Sequence, residues 1–124
     1  MPFIDYNTRN HVRIWDGIHG ALHHSDQLTC GLITLQEGVL LPEHHHVHEQ
    51  WTHVLEGQLE FRIGSETRTL GPGMCAHIPS NVPHAGRAVT ACKAIDVFHP
   101  VRADFQDLER QQYGSDAATQ PIGT

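Results

Sequence analysis

Residues 58 to 63 alternate strictly: Leu59, Phe61 and Ile63 fall on one side of an extended chain, Gln58, Glu60 and Arg62 on the other. Successive side chains of a strand point to opposite faces, so Gln58–Ile63 predicts a strand with one buried and one solvated face. Gly64-Ser65 then offers a two-residue hairpin turn into a second strand, Glu66–Leu70. Gly71-Pro72-Gly73 ends that strand, and Met74–Ile78 begins another. Leu28–Leu35, Trp51–Leu55 and Ala91–Phe98 also read as strands, with Val12–Trp15 and Ile18–His23 weaker versions. Gly and Pro punctuate the chain so often that no internal stretch combines helical periodicity with helical length. Short strands at this spacing predict an antiparallel all-β sandwich or barrel. Ala103–Gln112 is polar and predicts a short helix. Gly114–Thr124 has no large apolar residue except Ile122 and predicts a disordered tail. The expected organisation is therefore one domain over residues 1-113 and a tail over 114-124, with no internal repeat.

Composition narrows the class. With 124 residues, 39% of them apolar, the chain can bury a core without staples. A net charge of -6 with only 8 Lys and Arg argues against a nucleic-acid or anionic-membrane partner. No apolar run reaches spanning length, and MPFIDYNTRN contains no apolar leader, so the expected location is cytoplasmic. Cys30, Cys75 and Cys92 are odd in number and widely spaced, which excludes a disulfide framework or a thiolate zinc finger. They read as small apolar residues in strands. The outlier is histidine: there are 12, and the five between His44 and His53 lie too deep in the chain to be a terminal tag. A metal site is the first expectation.

Two segments carry it. In the first, Gly38 to Gly57, His44 and His46 are two apart, which puts both imidazoles on one face of an extended chain. Gln50 has the same parity once the chain turns, and its amide oxygen can serve as a further ligand. His45 and His48 read as a solvated loop. His53 has the opposite parity to Gln50 and should face away. Glu49 is a rival ligand with the wrong parity. In the second segment, Gly73 to His84, a turn held by Pro79 and Pro83 fixes the direction of His84, a plausible fourth ligand.

Together the two segments resemble the cupin superfamily. Its first motif is Gly, five residues, His-x-His, three or four residues, Glu, six residues, Gly; here it is Gly38, His44, His46, Gln50, Gly57. Its second is Gly, five residues, Pro-x-Gly, two residues, His, three residues, Asn; here it is Gly73, Pro79, Asn81, His84, Ala88. The resemblance covers about residues 12 to 102 and implies a cupin jelly-roll β-barrel holding one divalent transition metal (Ni, Zn, Mn or Fe) on His44, His46, Gln50 and His84. It departs from the pattern at Gln50, at Asn81, which tolerates a left-handed conformation, and at Ala88. A neutral amide in place of a carboxylate leaves a bound dication its full charge, which favours polarising a substrate oxygen over stabilising a higher oxidation state.

One face of Ala91–Phe98 carries Cys92, Ala94, Asp96 and Phe98. A carboxylate on an apolar face must be paired or used. It is either in a salt bridge, to Arg102 or Arg87, or a general acid/base beside the metal. The stretch from Asp96 to Phe105, with the His44-to-Gln50 segment, resembles the small cupins of the pectin-degradation KdgF type, which linearise 4,5-unsaturated uronates. That resemblance implies Asp96 as the proton-transfer residue, with Phe98 and Arg102 lining a site for a small, carboxylate-bearing substrate. The expected function is thus a KdgF-like enzyme, with a metal-dependent dioxygenase or a non-enzymatic small-molecule binding module as alternatives. Edge strands, and the habit of the family, predict a homodimer.

Overall fold

The computed structural model describes residues 3–114. The chain makes a 3-10 turn at Tyr6–Thr8, then β1 (His11–Trp15), β2 (Ile18–His24), β3 (Thr29–Leu35), β4 (Leu40–His44), β5 (Glu49–Glu56), β6 (Leu59–Ile63), β7 (Glu66–Leu70), β8 (Cys75–Ile78), β9 (His84–Ala88), β10 (Cys92–His99) and a helix, α1 (Ala103–Tyr113). The strands form a six-stranded sheet, ordered β1-β2-β3-β10-β5-β8, and a four-stranded sheet, ordered β4-β9-β6-β7. Every pairing is antiparallel. This is the expected jelly roll with a short C-terminal helix.

The β6–β7 hairpin forms as its alternation predicts, with Ile63 opposite Glu66 across Gly64-Ser65. Leu59 and Phe61 join Val54, Leu70, Ala76, Ile78, Ala88 and Cys92 in one core cluster. Burying a side chain of that size stabilises by about 1.5–3 kcal/mol. A second cluster, around Val12, Ile18, Leu22, Ile33, Phe98 and Phe105, packs the N-terminal strands against α1.

Two strands had no alternating signature. β4 is an edge strand interrupted by Pro42, with a register shift between Leu41 and His44, and none of its residues is fully buried. Proline is tolerated there because an edge strand need not donate on both sides. β9 reads His-Ala-Gly-Arg-Ala, too small and polar for a hydrophobic pattern. The cysteines also diverge from expectation: all three lie in strands, but only Cys92 is buried, while Cys75 is exposed on β8. Of the expected tail, residues 115–124 lie outside the described residues.

α1 is fastened to the barrel at several points. Phe105 stacks edge-on against Phe98, with ring centroids 5.4 Å apart. The Gln112 side chain exchanges two hydrogen bonds with the Arg13 backbone, at 2.8 and 2.7 Å, and the Tyr113 hydroxyl donates to the His11 carbonyl. Between them runs a buried polar chain. The Arg102 backbone N–H donates to Thr29 Oγ1 at 2.8 Å, Thr29 pairs with His24 Nδ1 at 2.8 Å, and His24 Nε2 reaches Glu109 at 2.6 Å. A neutral His24 with its proton on Nε2 satisfies every one of these groups.

Candidate metal centre and its cavity

His44 closes β4, and His84 opens β9 directly opposite it in the register. His46 lies in the connection to β5 rather than on a strand, so the expected strand geometry is replaced by a turn. That turn is held by the second motif: the Asn81 N–H donates to the His46 carbonyl at 2.8 Å. Asn81 has φ 64, the left-handed conformation that glycine usually supplies and asparagine tolerates.

The three imidazoles converge. One nitrogen of each lies within 4.8 Å of the others. Each ring has its Nδ1 against a nearby backbone carbonyl: His44 on Pro42 at 2.8 Å, His46 on His48 at 2.9 Å, His84 on Val82 at 2.9 Å. Nδ1 must donate to a carbonyl, so each ring's Nε2 is left as a lone pair aimed inward. Burial is the main cause that holds His46 down to about 4 and lowers His84, so both rings are neutral at physiological pH. The Nε2 of His84 is buried with no hydrogen-bond partner. Three converging imidazole nitrogens, one of them buried without a partner, are a donor set suited to a divalent transition metal.

Gln50 projects inward from β5 and is 6% exposed. Its Oε1 lies 3.1 Å from His46 Nε2, and its Nε2 donates to Thr52 Oγ1 at 2.9 Å. Two lone-pair atoms facing each other at that distance suit a shared cation. Glu49 points outward, pairing with His77 at 2.7 Å, and exposed His53 lies 3.8 Å from the Cys75 thiol; both face away, as parity requires. His45 is exposed. His48 corrects the expectation of a solvated loop: it is half-buried, and burial, then the nearby Arg102, lower its pKa.

A cavity of about 230 Å³ adjoins the group, lined at its polar end by His44, His46, Gln50, Thr52, Asp96 and Arg102. The remaining wall is mostly aliphatic, including Ile14, Ile33, Leu35, Val39, Leu41 and Leu59. Trp15 stacks beyond His44 and is partly exposed. Asp96 stands in this cavity between Thr52 and Gly31 in the sheet register. Burial pushes its carboxyl up to about 6, although a hydrogen bond from Thr52 and the charge of Arg102 both pull it down. Neither expected salt bridge forms. Arg102 is bidentate to Asp104, at 2.9 and 2.7 Å, with its guanidinium 3.8 Å over the Phe105 ring and 4.7 Å over that of Phe98. Arg87 lies beside Glu60. Thr52 was not singled out by sequence reasoning; its parity with Gln50 was the available signal.

The model of the cupin domain matches residues 31–98. The chain belongs to the cupin domain family, and its three-histidine group could hold a divalent metal ion. It is similar in structure to KdgF from Halomonas sp., at 25% identity, covering 85% of this chain and 98% of that one, with a TM-score of 0.79. It is also similar to an RmlC-like cupin from Shewanella frigidimarina NCIMB 400, at 24% identity, covering 85% and 96%, with a TM-score of 0.80. Among curated proteins it is 38% identical over 64 residues to the dimethylsulfoniopropionate lyase DddQ of Ruegeria pomeroyi, which is 51% of this chain and 32% of that protein. The chain thus matches about a third of the length of that relative. No helix among the described residues is long and apolar enough to cross a membrane.

Proposed function

We propose that the protein is a metal-dependent enzyme that opens the ring of a 4,5-unsaturated uronate, as the KdgF-type cupins it resembles do. The observation that carries this reading is Asp96, a carboxyl poised at about 6 in the same cavity as the three-histidine group and Arg102. In this reading His44, His46, Gln50 and His84 hold the metal. A divalent ion bound there supplies Lewis acidity to a substrate hydroxyl or carbonyl oxygen. Asp96 as a carboxylate takes the proton of the anomeric hydroxyl as that C–O bond becomes a carbonyl and the ring C–O bond breaks, and as the acid returns the proton to the enolate so released; a pKa near the working pH suits both directions. Arg102 has Nε and Nη2 on Asp104, so its other Nη is left for the substrate carboxylate. Phe98 supports that guanidinium from below. A carboxylate is common to a uronate and to the substrate named for the lyase relative. Asp96→Asn should keep its metal and lose about 100-fold or more of the turnover of unsaturated uronate. Full metal content with the parent rate would sink the mechanism.

The aliphatic wall favours a second reading: a metal-dependent dioxygenase of a less hydroxylated small molecule. Oxygen consumption with Fe(II), Ni(II) or Mn(II) loaded separates the two. The homodimer belongs to the proposal as well. Trp51 and Leu55 are exposed on β5 beside the edge strand β8, and sedimentation equilibrium tests it.

A further inference from the structure

A glutamine near a metal faces a choice that a glutamate does not. Its oxygen offers lone pairs to a cation, and its nitrogen offers only hydrogens. Gln50 is too buried for bulk water to sort the two ends. Its own neighbours do not sort them either. Turned by 180°, the amide would donate from nitrogen to His46 Nε2 and accept from the Thr52 hydroxyl, and both contacts would remain satisfied without any cation. The decision therefore lies one residue further on. Thr52 on β5 is the register partner of Asp96 on β10 and lines the same cavity. Asp96 Oδ1 is buried there without a hydrogen-bond partner, and the neighbouring Thr52 hydroxyl is the donor that offsets part of the effect of burial on the Asp96 carboxyl. A carboxylate only accepts, and a hydroxyl has one proton. Once that proton is committed to Asp96, Thr52 can only accept from Gln50. The amide nitrogen must then face Thr52, as it does at 2.9 Å, and the oxygen must face His46.

We infer that Thr52 is the positioning residue that turns the Gln50 oxygen toward the metal group, with Asp96 fixing the direction of the relay. This rests on the metal reading above and adds a residue to it. The test measures affinity for Zn(II) or Ni(II) alone, on the full chain, by competition with a chromophoric chelator. Thr52→Val keeps the shape and removes the hydroxyl, and should weaken binding by about ten-fold. Thr52→Ser should stay within about two-fold of the parent. Gln50→Glu presents oxygen from either end, so Thr52→Val in that background should cost less than about two-fold. An unchanged affinity in Thr52→Val, or an equal loss in both backgrounds, overturns the inference while leaving the metal reading standing. A parent protein that binds neither metal overturns the metal reading and this inference with it. One measurement needs no variant. The Gln50 side-chain NH2 resonances should keep their Thr52 contact when Zn(II) is added, and amide protons that contact His46 instead would refute the assignment.

Discussion

Asp96→Asn should make the metal-free protein more stable, in a pH-dependent way. The Asp96 carboxyl titrates near 3.8 without the fold and at about 6 within it, burial being the dominant cause. Between those values the folded state holds a proton that the unfolded state has released. Stability therefore falls as pH rises through that window, and the whole loss is present above it. About two units at about 1.4 kcal/mol each amount to ~3 kcal/mol. Asparagine keeps an acceptor for Thr52 and carries no charge, so the variant escapes this cost. In a domain of this size the gain corresponds to a rise in Tm of roughly 10 °C. Chelator-treated parent and variant should be melted at pH 4 and pH 8, because a bound dication would itself favour the carboxylate. The expected gain is close to the full ~3 kcal/mol at pH 8 and near zero at pH 4. A variant no more stable than the parent at pH 8, or equally stabilised at both pH values, would refute the reasoning. A more stable variant that no longer turns over would show the fold giving up stability for a group its chemistry needs.

Glu109→Ala should destabilise by about 1–3 kcal/mol, since it leaves the His24 Nε2–H buried without an acceptor; amide exchange in α1 should quicken together with it. Gly57→Ala should be far worse than Gly38→Ala in urea denaturation. Both have positive φ and so share a conformational cost of about 1–2 kcal/mol. A Cβ at Gly57 would sit 2.2 Å from the Ala91 carbonyl oxygen, however, whereas one at Gly38 meets nothing within 4 Å. Zn(II) at 100 times its Kd should stabilise the parent by about 2.7 kcal/mol, and His84→Ala should abolish that shift, as read by calorimetry.

Strands that bury one face announce themselves by alternation, and β6 was legible for that reason. β4 and β9 were not, because one is an edge interrupted by proline and the other is built of small residues. Yet these two strands carry His44 and His84. Those positions were readable only from spacing and family resemblance, never from hydrophobic period. The side to which Gln50 points followed from parity. What parity could not supply was its partner, since that depends on β10 lying beside β5 in the register Asp96–Thr52, a long-range pairing that no local pattern encodes. The salt bridge from Asp96 to Arg102, one of the two alternatives for that carboxylate, does not form: Asp104, two residues on, captures the Arg102 guanidinium instead.

The helix α1 contributes to the cavity through Asp104, Phe105 and Leu108, while Glu109, Gln112 and Tyr113, apart from these, do much of the fastening. The duties are divided along its length. Changes at 104 or 108 would reshape the chamber without loosening those fastenings or touching any of the proposed metal-binding residues, which come from the strands and turns of the barrel. A lineage can thus explore new ligands by drift in one short C-terminal segment while its barrel stays under purifying constraint. Diversity among near relatives of this chain should accordingly concentrate at those wall positions.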